Sequence, residues 1–169
     1  ILDLHSHSIK SDDGRARVET YCTWIRKREI PLDGFVLTEH RQFDDESDYR
    51  ALGDEFDLLI LKGSEVETDY GHVLVFGVNE PMRDAFDFER IDLPLDLVLR
   101  EAERCGGIAV PCHPGRPTVG MCAHYQERGA VHAVHAGGRA VRVLLCRCCD
   151  AFQQQFVQSL AAEPSRVLF

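Results

Sequence analysis

Phe35-Val36-Leu37-Thr38-Glu39-His40 is a short apolar run that ends in a carboxylate and an imidazole. Pro31 and the Asp33-Gly34 pair precede it, so a turn leads into a β-type segment that predicts a buried strand. The same grammar repeats outward in both directions. Ile1–Leu4 ends at His5, Leu58–Leu61 runs into Gly63-Ser64-Glu65, and Ile108–Pro111 runs into Cys112-His113-Pro114. His72–Val78 is a further strand that begins, rather than ends, with a histidine, so it either runs against the others or reaches their ends from a loop.

Between these runs the apolar spacing changes to that of helices. Val18, Tyr21, Cys22 and Ile25 share one helical face over roughly 17–29. Leu95, Val98, Leu99 and Ala102 do the same, with Pro94 at the start and Gly106-Gly107 after the end. The acidic segment Phe43–Asp57 reads as loop and short helix. Val141–Leu145 suggests a sixth strand, and Phe152, Phe156, Val157 and Leu160 a last helix. Short continuous apolar strands alternating with helices predict a largely parallel α/β sheet covered on both faces, with its chemistry at the carboxyl ends of the strands.

Composition narrows the function. The chain has 169 residues, 44% of them hydrophobic, and a net charge of −9. That length suits one domain spanning 1–169, and the apolar content excludes disorder for most of it. No apolar run approaches the roughly 20 residues that span a bilayer, and no secretory leader is visible, which predicts a cytoplasmic protein. The charge is uneven. Residues 1–124 hold 25 acidic and 14 basic side chains, whereas 125–169 hold 3 and 5. Net negative charge disfavours stable binding to a nucleic-acid backbone, although bound divalent cations would reverse the local sign. The seven cysteines are odd in number and scattered, which is not a disulfide framework. Cys22 and Cys105 fall on apolar helix faces, Cys112 reads as packing at a strand end, and Cys146, Cys148 and Cys149 lack a second ligand pair at zinc-site spacing.

The opening Asp3-Leu4-His5-Ser6-His7-Ser8, followed by Ser11-Asp12-Asp13-Gly14, sets two histidines at i and i+2 of an extended segment. Side chains alternate along a strand, so both imidazoles point the same way. Together with Thr38-Glu39-His40, Gly63-Ser64-Glu65, Gly71-His72 and Cys112-His113-Pro114, they place five imidazoles and two carboxylates at strand edges. Core packing alone does not explain so many polar groups, each of which needs a partner if buried. Mixed histidine and carboxylate donors suit zinc, manganese or iron.

These motifs, in this order, resemble the PHP (polymerase and histidinol phosphatase) family of metal-dependent phosphoesterases, over about residues 1–124. The resemblance implies a distorted seven-stranded β/α barrel, truncated or divergent at its C-terminal end, and two to three divalent ions of manganese, iron or zinc. By motif, His5, His7 and Glu65 would hold one ion, Asp12 and His40 a second, and Glu65, His72 and His113 the third, with Glu65 bridging. Asp12 rather than Asp13 follows the family's spacing from the second histidine. Glu39 stands where the family usually has a structural Asp, so little loss is expected there.

The activity implied is that of a metal-dependent phosphoric ester hydrolase acting on a phosphomonoester or short nucleotide through metal-activated hydroxide, with no catalytic side chain apart from the metal ligands. Arg116, in His113-Pro114-Gly115-Arg116-Pro117, is suited to clamping a phosphate oxygen. The family's late Asp-x-His motif has no counterpart here, since His132 and His135 are spaced differently and Ala151-Phe152 follow Asp150. Residues 125–169 therefore read as a divergent or frame-shifted end. Two alternatives follow: an incomplete relative that binds metal with little turnover, and a nonenzymatic accessory binding module.

Overall fold

The computed structural model describes residues 1–128. In chain order they form β1 (Leu2–Ser6), α1 (Val18–Lys27), β2 (Gly34–His40), α2 (Arg50–Phe56), β3 (Leu59–Thr68), β4 (Gly71–Phe76), α3 (Glu80–Ala85), α4 (Leu95–Arg104), β5 (Ile108–Pro111) and α5 (Met121–Arg128). The strands make one curled half-barrel sheet in the order β1-β2-β3-β4-β5. β1, β2 and β3 are mutually parallel, while β4 runs antiparallel to both β3 and β5.

Among the described residues, the expected seven-stranded (βα) barrel is thereby corrected to a five-stranded open sheet with five short helices. The physical reason lies at Asp69-Tyr70. Thr68 pairs with Gly71, so only two residues join β3 to β4. A connection that short reverses the chain, whereas a parallel step needs a crossover of a dozen or more residues. Gly71 takes φ +98°, and a Cβ there would lie 2.4 Å from the Val119 carbonyl oxygen, so the turn requires glycine. The predicted strand Val141–Leu145 and helix Phe152–Leu160 lie outside the described residues.

Helices cover one face of this sheet among the described residues, where both faces were expected to be covered. Val18, Cys22 and Ile25 of α1 pack with Phe35 and Leu37 of β2. Val98, Leu99 and Ala102 of α4 pack with Val66, Val73, Val75 and Ala109. Register puts Val66 opposite Val73 and Val75 opposite Ala109, so these side chains share a face. Each fully buried aliphatic chain contributes about 1.5–3 kcal/mol of transfer free energy. The α4 start is fixed by Asp69, whose carboxylate accepts the Leu95 N–H at 2.9 Å. The opposite face carries Glu65 toward one end. Toward the other it carries Leu2, Leu59, Leu61 and Ile108, each 41–50% exposed.

Candidate metal centre

Register decides which side chains reach the Glu65 face. His40 is the direct partner of Glu65 across β2 and β3, so the two project together. Across the antiparallel pair His72 opposes Glu67, two residues from Glu65, which makes His72 and Glu65 diagonal neighbours on the same face. Because β4 is reversed, its beginning lies beside the carboxyl ends of the other strands. That is how a histidine at the start of a strand joins groups at the ends of its neighbours.

β1 reaches the same face through an irregularity. Asp3 pairs with Phe35, but Ser6, not His5, pairs with Leu37. One extra residue is therefore inserted into β1, and a one-residue shift turns every later side chain to the other face. Without it, His5 and His7 would face the α1 core beside Leu37. With it, both face Glu65.

β5 continues the alternation beyond its last residue. Pro111 pairs with Val73, and the next ladder bond runs from the Cys112 N–H to the His72 carbonyl at 3.1 Å. Cys112 thus lies on the face of His72, with 1% exposure. His113 follows at φ +31°, a conformation that costs a non-glycine residue about 1–3 kcal/mol and is concentrated at functional sites. The loop that holds it closes on Gly120, where a Cβ would come within 2.3–2.7 Å of the Pro114, Arg116 and His113 carbonyl oxygens.

Glu65 is fully buried at the centre. Its Oε2 lies 2.8 Å from His5 Nε2 and 2.9 Å from His7 Nε2, and its Oε1 lies 2.7 Å from His72 Nδ1 and 2.9 Å from His113 Nε2. Cys112 Sγ adds a contact of 3.1 Å to Oε1, and His40 Nδ1 lies 3.6 Å from Oε2. The rings close a circuit. Centroids run from His5 to His7 at 4.9 Å, to His40 at 4.4 Å, to His72 at 5.3 Å, to His113 at 5.2 Å, and back to His5 at 5.7 Å.

The loop after β1 is moored by Glu39, which is 1% exposed. Both its carboxylate oxygens accept the Ser8 N–H at 3.1 Å, and Oε2 also accepts the Ser11 hydroxyl at 2.6 Å. Ser11 Oγ in turn accepts the His40 N–H at 2.9 Å. This mooring sends Asp13 inward, to 2.8 Å from His7 Nδ1 and 3.5 Å from His40 Nε2. Asp12 turns away and pairs with Arg41, whose other nitrogen donates to Glu67 at 3.1 Å. The carboxylate that joins His7 and His40 is that of Asp13.

The electrostatics follow from this packing. Burial opposes ionisation of Glu65, but hydrogen bonds from His113, His5, His7 and His72 outweigh it and hold the carboxyl far below its ordinary range. Burial likewise disfavours a charged His7, yet its bonds to Glu65 and Asp13 raise its pKa to about 9. His40 moves the other way: burial lowers it, and Glu65 does not compensate. Asp13 is lowered, with burial overcome by the hydrogen bond to His7.

The donor chemistry fits divalent ions. His5 Nε2 and His7 Nε2 are 2.9 Å apart, and both approach one oxygen of Glu65. His40 Nδ1 and His113 Nδ1 are buried without a hydrogen-bond partner among the described residues. The close approach of His5 Nε2, His7 Nε2 and Glu65 Oε2 is of the kind that a cation could satisfy. Among the described residues, three groups of side chains could hold a metal ion: His5, Glu65, Cys112 and His113; His7, Asp13 and His40; and His40, Glu65 and His72. Within each group the ligand atoms lie within 4.8 Å of one another.

The groups cut across the expected sets. His5 and His7 separate, His113 joins His5, and His40 rather than His113 joins His72. A cavity of about 170 Å³ opens onto this constellation, lined by His5, His7, Asp13, His40, Glu65, His113 and Arg116. Arg116 is exposed at its rim.

Asp13, not the expected Asp12, meets His7 and His40, Cys112 reaches Glu65 where only strand-end packing was expected, and Glu39 has the kind of structural role expected at its position. For Cys112 the signal was present, because strict alternation from Ala109 through Cys112 puts it on the face of Val110. No helix among the described residues is long and apolar enough to cross a membrane. No protein-family model matches the chain, and no curated protein matches it.

Proposed function

We propose that the chain is a metal-dependent phosphoesterase, hydrolysing a phosphomonoester or short nucleotide at the carboxyl ends of its strands. The observation that carries this reading is the closed circuit of five imidazoles around a fully buried carboxylate. Two to three ions of manganese, iron or zinc would be held by the three groups described above, with Glu65 common to two of them. Divalent ions supply a Lewis acid for phosphoryl oxygens and acidify water near neutral pH.

The chain's own residues define what else the site does. Five of the eight side chains in the three groups are imidazoles, which add no negative charge when neutral, so an anionic phosphate is not repelled. Glu65 fixes ring orientations by accepting their hydrogen bonds, and Asp13 does the same for His7. Arg116, at the cavity rim, offers a planar fork that matches two phosphate oxygens. The overall reaction adds water across the ester P–O bond, releasing the alcohol and inorganic phosphate.

The test is phosphate release from a panel of phosphomonoesters and short nucleotides by metal-loaded protein. Release that EDTA abolishes and manganese, iron or zinc restores is expected. No release from any substrate would overturn the reading. A second reading is a protein that binds metal with little turnover, favoured by the missing late Asp-x-His motif. It predicts one equivalent of metal or less and no phosphate release.

A further inference from the structure

We propose that Cys112 is a thiolate ligand, completing with His5, Glu65 and His113 a four-donor set that selects zinc over manganese. The inference rests on the proposed metal centre and adds the identity of the ion in one of its positions. Sequence alone makes Cys112 a strand-end packing residue; the sheet register makes it something else. Its N–H continues the β4–β5 ladder, and that bond commits its side chain to the face of His72 and Glu65.

The geometry is that of a donor. Sγ lies 3.1 Å from Glu65 Oε1, the same oxygen that meets His113 Nε2 at 2.9 Å. The four ligand atoms of this group lie within 4.8 Å of one another. A tetrahedral zinc site with bonds of about 2.0–2.3 Å separates its donors by about 3.3–3.7 Å, so the group needs only small adjustments to close around an ion. His113 Nδ1, buried and without a partner, shows that this ring is not held in place by hydrogen bonds at both nitrogens.

Chemistry then assigns the preference. One sulfur, two imidazole nitrogens and one carboxylate oxygen make a borderline-soft set. Thiolate favours zinc, whereas manganese prefers oxygen donors. Loading replaces the thiol proton with the ion, and the proton leaves to solvent. The other two groups contain only imidazole and carboxylate. The centre is therefore chemically unequal: one position suits zinc, and the others accept harder ions.

The experiment is cobalt(II) titration of the full chain and its Cys112→Ser variant, followed by near-ultraviolet absorption and metal counting. The wild type is expected to show a sulfur-to-cobalt charge-transfer band that the serine variant loses while it still binds cobalt. Its zinc affinity should fall by more than the roughly 10–100-fold that loss of an outer-shell partner costs. Cobalt binding without the band, or a band that survives in Cys112→Ser, overturns the thiolate ligand and leaves the metal centre standing. Failure of the wild type to bind cobalt or zinc overturns both.

Should the serine variant not fold, X-ray absorption of the zinc-loaded wild type decides. One sulfur at about 2.3 Å supports the assignment, and a shell of only nitrogen and oxygen at about 2.0–2.2 Å overturns it.

Discussion

Glu39 gives the sharpest test of how the fold builds its site. It ligates nothing in the three metal groups, yet it is 1% exposed and accepts from the Ser8 N–H and the Ser11 hydroxyl. Charge-assisted hydrogen bonds contribute about 1.5–3 kcal/mol each. Glu39→Ala would strand both donors and lose about 3–6 kcal/mol, a large share of a typical domain stability of about 5–15 kcal/mol. Glu39→Gln is the tractable variant.

Its amide oxygen still accepts from Ser8, but the amide nitrogen meets the Ser11 hydroxyl as a donor, so that hydroxyl loses its acceptor. Replacing two charged bonds by neutral ones and leaving the Ser11 O–H without its acceptor should cost about 2–3 kcal/mol. Urea unfolding should show a lower midpoint at unchanged slope, because the buried surface is the same. The Ser8–Asp13 loop also positions Asp13, so zinc or manganese affinity at the His7–Asp13–His40 group should fall about 10–100-fold. A Glu39→Gln protein within about 0.5 kcal/mol of wild type and with unchanged metal affinity would refute the mooring role.

Other perturbations separate neighbouring residues. Asp13→Asn should lower metal occupancy at the His7 and His40 position, whereas Asp12→Asn should leave it intact, because Asp12 is paired with Arg41; metal counting on both variants decides, and the reverse order would contradict the geometry. Arg116→Ala should leave metal content unchanged while lowering kcat/KM for a phosphate ester about 30-fold, the loss of roughly 2 kcal/mol of charged hydrogen bonding. Asp44, 6% exposed, is held at a pKa of about 2, since bonds from Lys10, Tyr49 and Ser47 overcome the effect of burial. Its folded pKa lies below the unfolded value, so its contribution of about 2 kcal/mol is present above about pH 4 and lost as pH falls toward 2. Asp44→Asn should flatten that part of the acid-unfolding curve, and an unchanged curve would count against it.

Much of this arrangement was legible in the linear sequence, for a physical reason. Continuous apolar runs mark strands buried against helices, and period 3.6 marks α1 and α4, so four of the five strands and both long helices fall within a few residues of their expected places, while β3 runs on through its polar end to Thr68. What the sequence does not carry is register. The inserted residue in β1 that turns His5 and His7 toward Glu65 is a property of pairing with β2, and no local pattern announces it. The choice between Asp12 and Asp13 is set by a turn moored on Glu39, which touches Ser11 in space but lies 28 residues from it along the chain. The reversal of β4 was readable as an option, because its histidine comes first, but the two-residue turn at Asp69-Tyr70 decides it. The barrel expectation came from resemblance rather than from residues, and the observed strand order replaced it.

In the proposed function Glu65 organises a divalent-metal centre. Metal counting on the dialysed full chain and on Glu65→Gln, combined with anomalous diffraction, tests it directly. Glu65 belongs to two of the three groups, and its charge is what the surrounding rings are arranged on. At least one tightly held divalent ion beside Glu65 is expected in the wild type, with loss of most bound metal in the glutamine variant. A wild type that retains no metal, or a Glu65→Gln protein that keeps the full complement, would contradict it.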